Sequence, residues 1–158
     1  MRVGFIGLGM MGRNAALNVA RKGFEMVVYD IRPEAMLPLI DKGATPAGNP
    51  ADVLGRAGGV ATVVFGPKEI EAVLRGPDGF LSIDCTGKIW IDLTTSRPPL
   101  MRDIGAEFRA RGGAVIDAPV TGSVDSAIRG DMLMFVGGEA DDIERARPVI
   151  EAMGEIRK

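Results

Sequence analysis

Short runs of apolar residues alternate along the chain with longer segments in which apolar residues recur every three or four positions. A short run that is apolar throughout is typical of a strand buried on both faces of a parallel sheet. Runs of this kind predict strands over residues 3–6, 26–29, 60–65, 89–93, 114–116 and 132–136.

The segments between these runs have the apolar period of helices and are bounded by Gly, Pro or Asn. Asn49 precedes Pro50 as a helix cap. Pro38 would cost about 3 kcal/mol inside a helix, which predicts a short or kinked helix at that point. Residues 76–88 and 117–123 predict loops, and residues 154–158 predict a polar end. The helices are predicted over residues 14–22, 33–43, 50–56, 67–75, 98–111, 126–129 and 139–153.

The alternation of strands and helices predicts an α/β fold. It indicates a Rossmann-type, doubly wound, mostly parallel sheet with helices on both faces. The 158 residues have the length of one domain, spanning residues 1–158, and show no repeat or linker. Ligands of such folds bind at the carboxyl ends of the strands, so the loops that follow strands are the candidate sites.

Composition excludes several functions. The net charge is −2 and aromatic residues make up 5% of the chain, without a basic stripe, which argues against nucleic-acid binding. No apolar run reaches the ~18 residues of a membrane span. The glycines near the N-terminus do not fit a signal peptide, so we expect a cytoplasmic protein. The single Cys85 excludes an internal disulfide, and a chain without histidine cannot supply a catalytic histidine or a histidine-bound metal.

The first predicted strand runs directly into a Gly-x-Gly-x-x-Gly motif that is followed by a helix. In dinucleotide-binding proteins the first glycine permits a tight turn and the second lets the pyrophosphate approach the backbone. The third lets the helix pack closely on the strand. The helix N-terminus presents free N–H groups to the anion. This context favours a dinucleotide site over a glycine-rich hairpin. The predicted pyrophosphate-binding residues are Gly7, Leu8, Gly9, Met10, Met11 and Gly12.

Asp30 follows the second predicted strand and supports the same interpretation. It lies 18 residues after Gly12, close to the ~20 expected for the acid that binds the adenosine ribose. A carboxylate accepts hydrogen bonds from a free 2′-hydroxyl and repels a 2′-phosphate, which favours NAD. Arg32 is able to bind that phosphate, so NADP is the alternative cofactor.

Three further loops are predicted at the same edge of the sheet. The backbone of Val64 and Phe65 is expected under the nicotinamide ribose. The hydroxyl groups of Thr94 and Thr95 suit a ribose or a carboxamide, or else they cap the next helix.

The loop over residues 117–123 is the candidate substrate site. Thr121, Gly122 and Ser123 offer hydroxyls and consecutive N–H groups, which can hold a small carboxylate. Asp117 lies close to a proline at a strand end, a combination that more often fixes a turn than serves in catalysis.

These motifs resemble those of the β-hydroxyacid dehydrogenase family, which includes 3-hydroxyisobutyrate dehydrogenase and tartronate semialdehyde reductase. The family pattern G-x-G-x-M-G-x-x-x-A-x-N is matched over residues 7–18. The substrate motif D-A-P-V-S-G-G, with the A-x-x-G and V-G-G that follow it, is matched within residues 117–138. The resemblance covers the whole chain. It implies hydride transfer between a nicotinamide and a small 3-hydroxy acid or its semialdehyde, with residues 121–123 holding the substrate carboxylate.

Two departures from the motif concern the substrate. Thr121 replaces a serine and keeps the hydroxyl, whereas Ser123 replaces a glycine and adds bulk beside the expected carboxylate. Imine reductases and 6-phosphogluconate dehydrogenases share this domain, so a cofactor domain from either group is an alternative. The segment that begins at Asp117 favours the hydroxy-acid branch.

Members of the family also have a C-terminal all-helical domain, and they carry a catalytic lysine in a G-x-G-x-x-x-K-x-x-x-N motif at the junction. The resemblance implies that this lysine lies beyond Lys158 and that the helical domain is absent from this chain. It further implies a homo-oligomer when the protein is complete, and no turnover by this chain alone. A stand-alone, non-catalytic dinucleotide-binding module is the alternative.

Overall fold

A parallel sheet is the framework of the fold, and the computed structural model describes it through residues 1–94 and 98–157. Its strands are β1 Val3–Ile6, β2 Met26–Tyr29, β3 Thr45–Pro46, β4 Gly59–Thr62, β5 Ile89–Asp92 and β6 Ala114–Asp117. Within the described residues all five pairings are parallel, in the order β3-β2-β1-β4-β5-β6. The chain leaves β1 toward β2 and β3, then crosses back to β4 and continues outward on the other side. This reversal creates a crevice between the carboxyl ends of β1 and β4.

Helices cover both faces of the sheet, which confirms the predicted doubly wound α/β fold. They are α1 Met10–Arg21, α2 Leu37–Ile40, α3 Pro50–Arg56, α4 Pro67–Arg75, α5 Pro98–Ala110, α6 Val124–Arg129 and α7 Ala140–Met153. Helices α1, α6 and α7 share a core with Phe5, Val28 and Ile91. Helices α3, α4 and α5 share a second core with Val60 and Trp90 on the opposite face. Alternate residues of the strands therefore serve two cores.

The core under α5 contains an aromatic cluster. Phe80 lies in a 3₁₀ turn, Phe80–Ser82, within the segment predicted as a polar loop. Its ring centroid is 6.4 Å from that of Trp90 and 6.0 Å from that of Phe108, and the Trp90 and Phe108 centroids are 5.9 Å apart. Tilted and edge-on contacts at these distances stabilise buried rings. They fix Trp90, and with it β5, in the sheet.

A small second sheet corrects three predictions. It consists of β7 Val120–Thr121, β8 Met132–Phe135 and β9 Gly154–Arg157. Strand β8 pairs antiparallel with β7 and parallel with β9. The strand predicted over residues 132–136 forms as β8, but it lies in this second sheet rather than in the parallel one. The segment predicted as a loop over residues 117–123 contains the two-residue β7, and the predicted polar end contains β9, so these two predictions are wrong in part. In β8 only alternate residues are buried, because only one face of this sheet is covered.

Several element boundaries also differ from the predicted ones. Strand β4 ends at Thr62 rather than at residue 65, and α1 begins at Met10 rather than at residue 14. The segment around Pro38 is divided into a 3₁₀ turn, Pro33–Met36, and the four-residue α2, as its proline indicates. Among the described residues, no helix combines the length and the apolar character needed to cross a membrane.

Candidate functional site

The glycine loop lies in the crevice between β1 and β4, where its shape depends on two of its glycines. Gly7 has φ of +93°, and a side chain there would overlap the Val63 carbonyl oxygen after β4. A side chain at Gly12 would overlap the Gly7 carbonyl oxygen. Because these neighbours are backbone atoms, neither position can accommodate a larger residue. The sequence prediction of a tight turn followed by close helix packing agrees with this geometry.

Gly9 differs from the other two glycines because the space beside it is open. It precedes α1 with φ of −67°, and a Cβ placed on it would meet no heavy atom within 4 Å. The fold itself does not require glycine at this position. The open space lies at the start of α1, where the first-turn N–H groups have no carbonyl partner within the helix. A pyrophosphate fits both features, since its oxygens need N–H donors and an unobstructed approach to the backbone.

The three residues of the loop that are not glycine lie on different sides of it, one toward solvent and two toward the core. The Met10 side chain is 58% exposed, whereas Met11 packs against the core and Leu8 is buried in it. The Leu8 N–H also points inward, because it donates a 2.7 Å hydrogen bond to Asp30 Oδ2. Leu8 therefore lies behind the loop and secures it from the protein side.

Asp30 connects the end of β2 to the glycine loop. Its Oδ2 accepts from the Leu8 N–H, and its Oδ1 accepts from the Arg32 N–H at 2.9 Å. The Arg32 Nε atom lies 3.6 Å from Oδ1, while its side chain is 55% exposed. Asp30 is only 8% exposed. Since each carboxylate oxygen can accept a second hydrogen bond, Asp30 can hold the loop and bind a ribose hydroxyl at the same time.

A buried hydrogen-bond network joins β4, β5 and the loop after β4. The Thr62 hydroxyl donates to Asp92 Oδ1 at 2.8 Å and accepts from Trp90 Nε1 at 2.9 Å. Asp92 Oδ1 also accepts from the Thr94 N–H at 3.0 Å. The Thr94 hydroxyl in turn accepts from the Val64 N–H at 3.1 Å. Thr94 is therefore engaged inside the protein, and Thr95 lies outside the described residues.

The carboxyl group of Asp92 in this network has a raised pKa. Burial raises the pKa of its carboxyl to about 6, and the hydrogen bonds from Thr94 and Thr62 oppose that rise only in part. The Asp117 carboxyl, on the neighbouring strand, raises the pKa of Asp92 further. Partial burial raises the pKa of Asp117 as well. Among the described residues, Asp92 Oδ2 has no hydrogen-bond partner, so the group retains its proton more strongly than in the unfolded chain.

The Asp92→Asn variant is expected to change how stability depends on pH. The raised pKa means that Asp92 stabilises the fold below the unfolded value of 3.8, and this contribution is lost as the pH rises through about 6. The side-chain amide of the variant does not titrate, so its contribution to stability does not depend on pH. The unfolding free energy of the wild type should therefore fall relative to the variant by up to about 3 kcal/mol between acid and neutral pH. Urea unfolding followed by circular dichroism at several pH values measures this difference, and parallel curves would contradict it.

The predicted substrate loop lies beside the second sheet. The Thr121 hydroxyl donates to the Leu133 carbonyl at 3.3 Å, and Ser123 caps α6 by accepting from the Ser126 N–H at 3.3 Å. Gly122 has φ of +132°. All three residues are exposed. Asp117 ends β6 and exchanges backbone hydrogen bonds with Gly137, so its backbone fixes the start of this loop.

Asn18 joins α1, the helix after the glycine loop, to α6, the helix after the candidate substrate loop. It is buried on α1, and its Nδ2 donates to the Ala127 carbonyl of α6. Its Oδ1 accepts from Arg21 at 2.7 Å. The N-termini of α1 and α6 adjoin the glycine loop and the substrate loop respectively. The buried amide therefore holds α1 against α6, and its signal in the sequence is the asparagine that ends the matched family pattern.

The described lysines lie away from this edge or in solvent. Lys88 is at the opposite edge, where its Nζ donates to the Ala57 carbonyl at 2.7 Å. Lys22 follows α1 at the same opposite edge. Lys42 follows α2, and Lys68 is exposed on the first turn of α4. Within residues 1–94 and 98–157, the arrangement thus offers sites for a cofactor and a small anion but no lysine in contact with them.

Fold and site together define a Rossmann-type dinucleotide-binding domain. The chain belongs to the family described as the NAD binding domain of 6-phosphogluconate dehydrogenase, whose model matches residues 2–157. It is 37% identical over 152 residues to 3-sulfolactaldehyde reductase of Escherichia coli (strain K12), covering 96% of this chain and 51% of that protein. It is 34% identical over 152 residues to 3-hydroxyisobutyrate dehydrogenase of Pseudomonas aeruginosa, with the same coverage.

Solved structures agree with this assignment. A structure of Psf3 in complex with NADP+ and 2-OPP aligns with a TM-score of 0.92 at 28% identity, covering 98% of this chain and 55% of that one. An imine reductase from Pseudomonas sp. aligns with a TM-score of 0.91 at 18% identity, covering 99% and 54%, which shows a shared fold alone. The chain spans about half the length of the curated relatives it matches. It is an NAD(P)-binding domain of the type found in 3-hydroxyisobutyrate dehydrogenase-like oxidoreductases.

Proposed function

We propose that this domain binds NAD in preference to NADP, within an enzyme that transfers a hydride to or from a small 3-hydroxy acid or its semialdehyde. The observation that supports the cofactor preference is the position of Asp30. Its buried carboxylate is held at the end of β2 by Leu8 and Arg32, where a 2′-phosphate would meet a negative charge. The bound nicotinamide would supply or accept the hydride, while the chain's residues orient it.

The proposed cofactor residues are the glycine-loop residues 7–12, Asp30 and Arg32, with the backbone of Val64 and Phe65 on the nicotinamide side. Phe65 is 93% exposed, so its ring is free to contact a ligand at this edge. Thr95 belongs to the same proposal on the basis of its place in the sequence after β5.

Calorimetric titration of the purified chain with NADH and, separately, NADPH tests the cofactor proposal. NADH is expected to bind at least about tenfold more tightly, a difference of ~1.4 kcal/mol. Tighter binding of NADPH would mean that Arg32 outweighs Asp30, and absence of binding by both would reject the proposed site. The dependence of NADPH affinity on sodium chloride concentration is a further test, because an exposed contact between Arg32 and the phosphate weakens as salt is added.

For the substrate, we propose that residues 121–123 hold a small carboxylate. Their hydroxyl and N–H groups lie on an exposed loop that Asn18 ties, through α6, to the cofactor helix. The relative named 3-hydroxyisobutyrate dehydrogenase favours this substrate class over a 6-phosphogluconate or imine substrate. None of the described lysines contacts this loop, so we propose that the proton relay comes from outside the described residues.

We further propose that an all-helical domain covers the second sheet and that the complete, cytoplasmic protein is a homo-oligomer. Leu133 and Phe135 of β8 and Ile128 of α6 are exposed apolar residues beside the substrate loop, and such groups commonly mark an interaction surface. The coding sequence after Lys158 tests this proposal. A G-x-G-x-x-x-K-x-x-x-N motif there supports the enzyme, whereas a stop codon supports a stand-alone, non-catalytic module.

A further inference from the structure

The loop after β4 has its backbone direction set from inside the protein. The Val64 N–H donates to the Thr94 hydroxyl at 3.1 Å, and Thr94 is only 4% exposed. The Thr94 hydroxyl also lies 3.5 Å from the Thr62 carbonyl, which directs its proton away from Val64. This hydroxyl is therefore the acceptor that orients the peptide between Val63 and Val64. Phe65, immediately after it, is the most exposed large apolar side chain at this edge.

Thr94 is itself held by a carboxylate. Asp92 Oδ1 accepts both the Thr94 N–H and the Thr62 hydroxyl, and Asp92 and Thr62 are register partners on adjacent strands. The Trp90 indole completes the network from the aromatic core. A rigid, buried connection thus runs from the core to a loop on the nicotinamide half of the crevice, since the second half of a doubly wound sheet binds the second nucleotide.

We propose that Thr94 and Asp92 are positioning residues for the nicotinamide half of the cofactor, acting through the Val64 backbone rather than by contact with the ligand. This inference rests on the proposed function, because it assumes that a dinucleotide occupies the crevice. The proposal assigns different residues to the two halves of the cofactor site. Asp30 and the glycine loop serve the adenosine and pyrophosphate, whereas Thr94 and Asp92 serve the nicotinamide nucleoside.

Two probes distinguish the halves: NADH, which fills both, and ADP, which lacks the whole nicotinamide nucleoside. In the Thr94→Val variant the Val64 N–H loses its acceptor, and NADH affinity should fall about tenfold, the effect of one hydrogen bond. ADP affinity should stay within about twofold of the wild type. Thr94→Ser keeps the hydroxyl and should restore NADH affinity. Asp92→Ala removes the acceptor of the Thr94 N–H and should likewise lower NADH affinity while ADP affinity stays within about twofold of the wild type.

An equal loss for both probes in a folded Thr94→Val variant would indicate general damage and overturn the inference, and unchanged NADH binding would overturn it too. If the wild type binds neither probe, the proposed function fails instead. A second measurement needs no variant. Trp90 is the one tryptophan of the sequence, so its indole N–H gives a single resonance that reports on the network. NADH should shift that resonance and ADP should not, whereas equal shifts from both would contradict the inference.

Discussion

The Gly12→Ala variant is expected to lose the native fold, whereas Gly9→Ala, three residues earlier, should fold normally and lose the cofactor. A methyl group at Gly12 overlaps the Gly7 carbonyl, and Gly7 cannot move away because it abuts the Val63 carbonyl. Overpacking against fixed backbone should cost more than about 3 kcal/mol. Thermal unfolding followed by circular dichroism measures this loss.

Gly9→Ala is the matched variant, because the same methyl group enters open space at an ordinary φ. Its stability should fall by no more than about 1 kcal/mol, the range for changing a helix-capping residue. NADH affinity, measured by calorimetry, should fall at least about tenfold, because the methyl group takes the space proposed for the pyrophosphate. Wild-type affinity in this variant would show that the pyrophosphate lies elsewhere. A fully stable Gly12→Ala protein would show that the loop is more adaptable than its contacts indicate.

The second large effect is expected for Asp30→Ala, which should impair both stability and binding. The buried Leu8 N–H would lose its Asp30 acceptor, and the Arg32 N–H would lose its acceptor as well. An unsatisfied buried donor costs about 1–3 kcal/mol, so the unfolding free energy should drop by about 3 kcal/mol in total. NADH affinity should fall further than NADPH affinity. The preference for NADH over NADPH should therefore become smaller or be reversed.

Glu34→Ala is a matched control, since it removes the same charge from an exposed residue four positions away. Its stability should stay within about 0.5 kcal/mol of the wild type, and its cofactor preference should not change. Equal effects of the two variants would assign the result to net charge rather than to the bonds made by Asp30. Urea unfolding and parallel NADH and NADPH titrations provide the measurements.

Features that are local in sequence could be predicted well. The glycine motif, the Asn49 cap and the interrupted segment around Pro38 each depend on neighbouring residues, and the structure agrees with them. The α/β architecture, with helices on both faces of a parallel sheet, also follows from the order of apolar runs. Strand β9 could not be predicted, because its polar residues form a strand only by pairing with β8. The same holds for β7, whose two residues are too few to show a period.

The buried network escaped prediction for a related reason. Thr62 and Asp92 are 30 residues apart and meet only through the register of β4 and β5. From the sequence, Thr94 was equally consistent with a ligand contact and a helix cap, and in the structure its hydroxyl binds the Val64 N–H. Asn18 was matched in the sequence only as the last position of the family pattern over residues 7–18, and its contact with α6 depends on the tertiary fold. Such roles depend on tertiary contacts that periodicity does not contain.

The close approach of Gly7 to the Val63 carbonyl also has a consequence for protein synthesis. The glycine loop leaves the ribosome before Val63, the residue against which its turn closes, and Val63 emerges more than fifty codons later. Strand β1 likewise cannot pair on one side until β4 has been synthesised. Long-range parallel pairing of this kind slows folding and leaves strand edges open in the nascent chain. The nascent β1–β3 segment therefore exposes one unpaired edge of β1 until β4 has been synthesised.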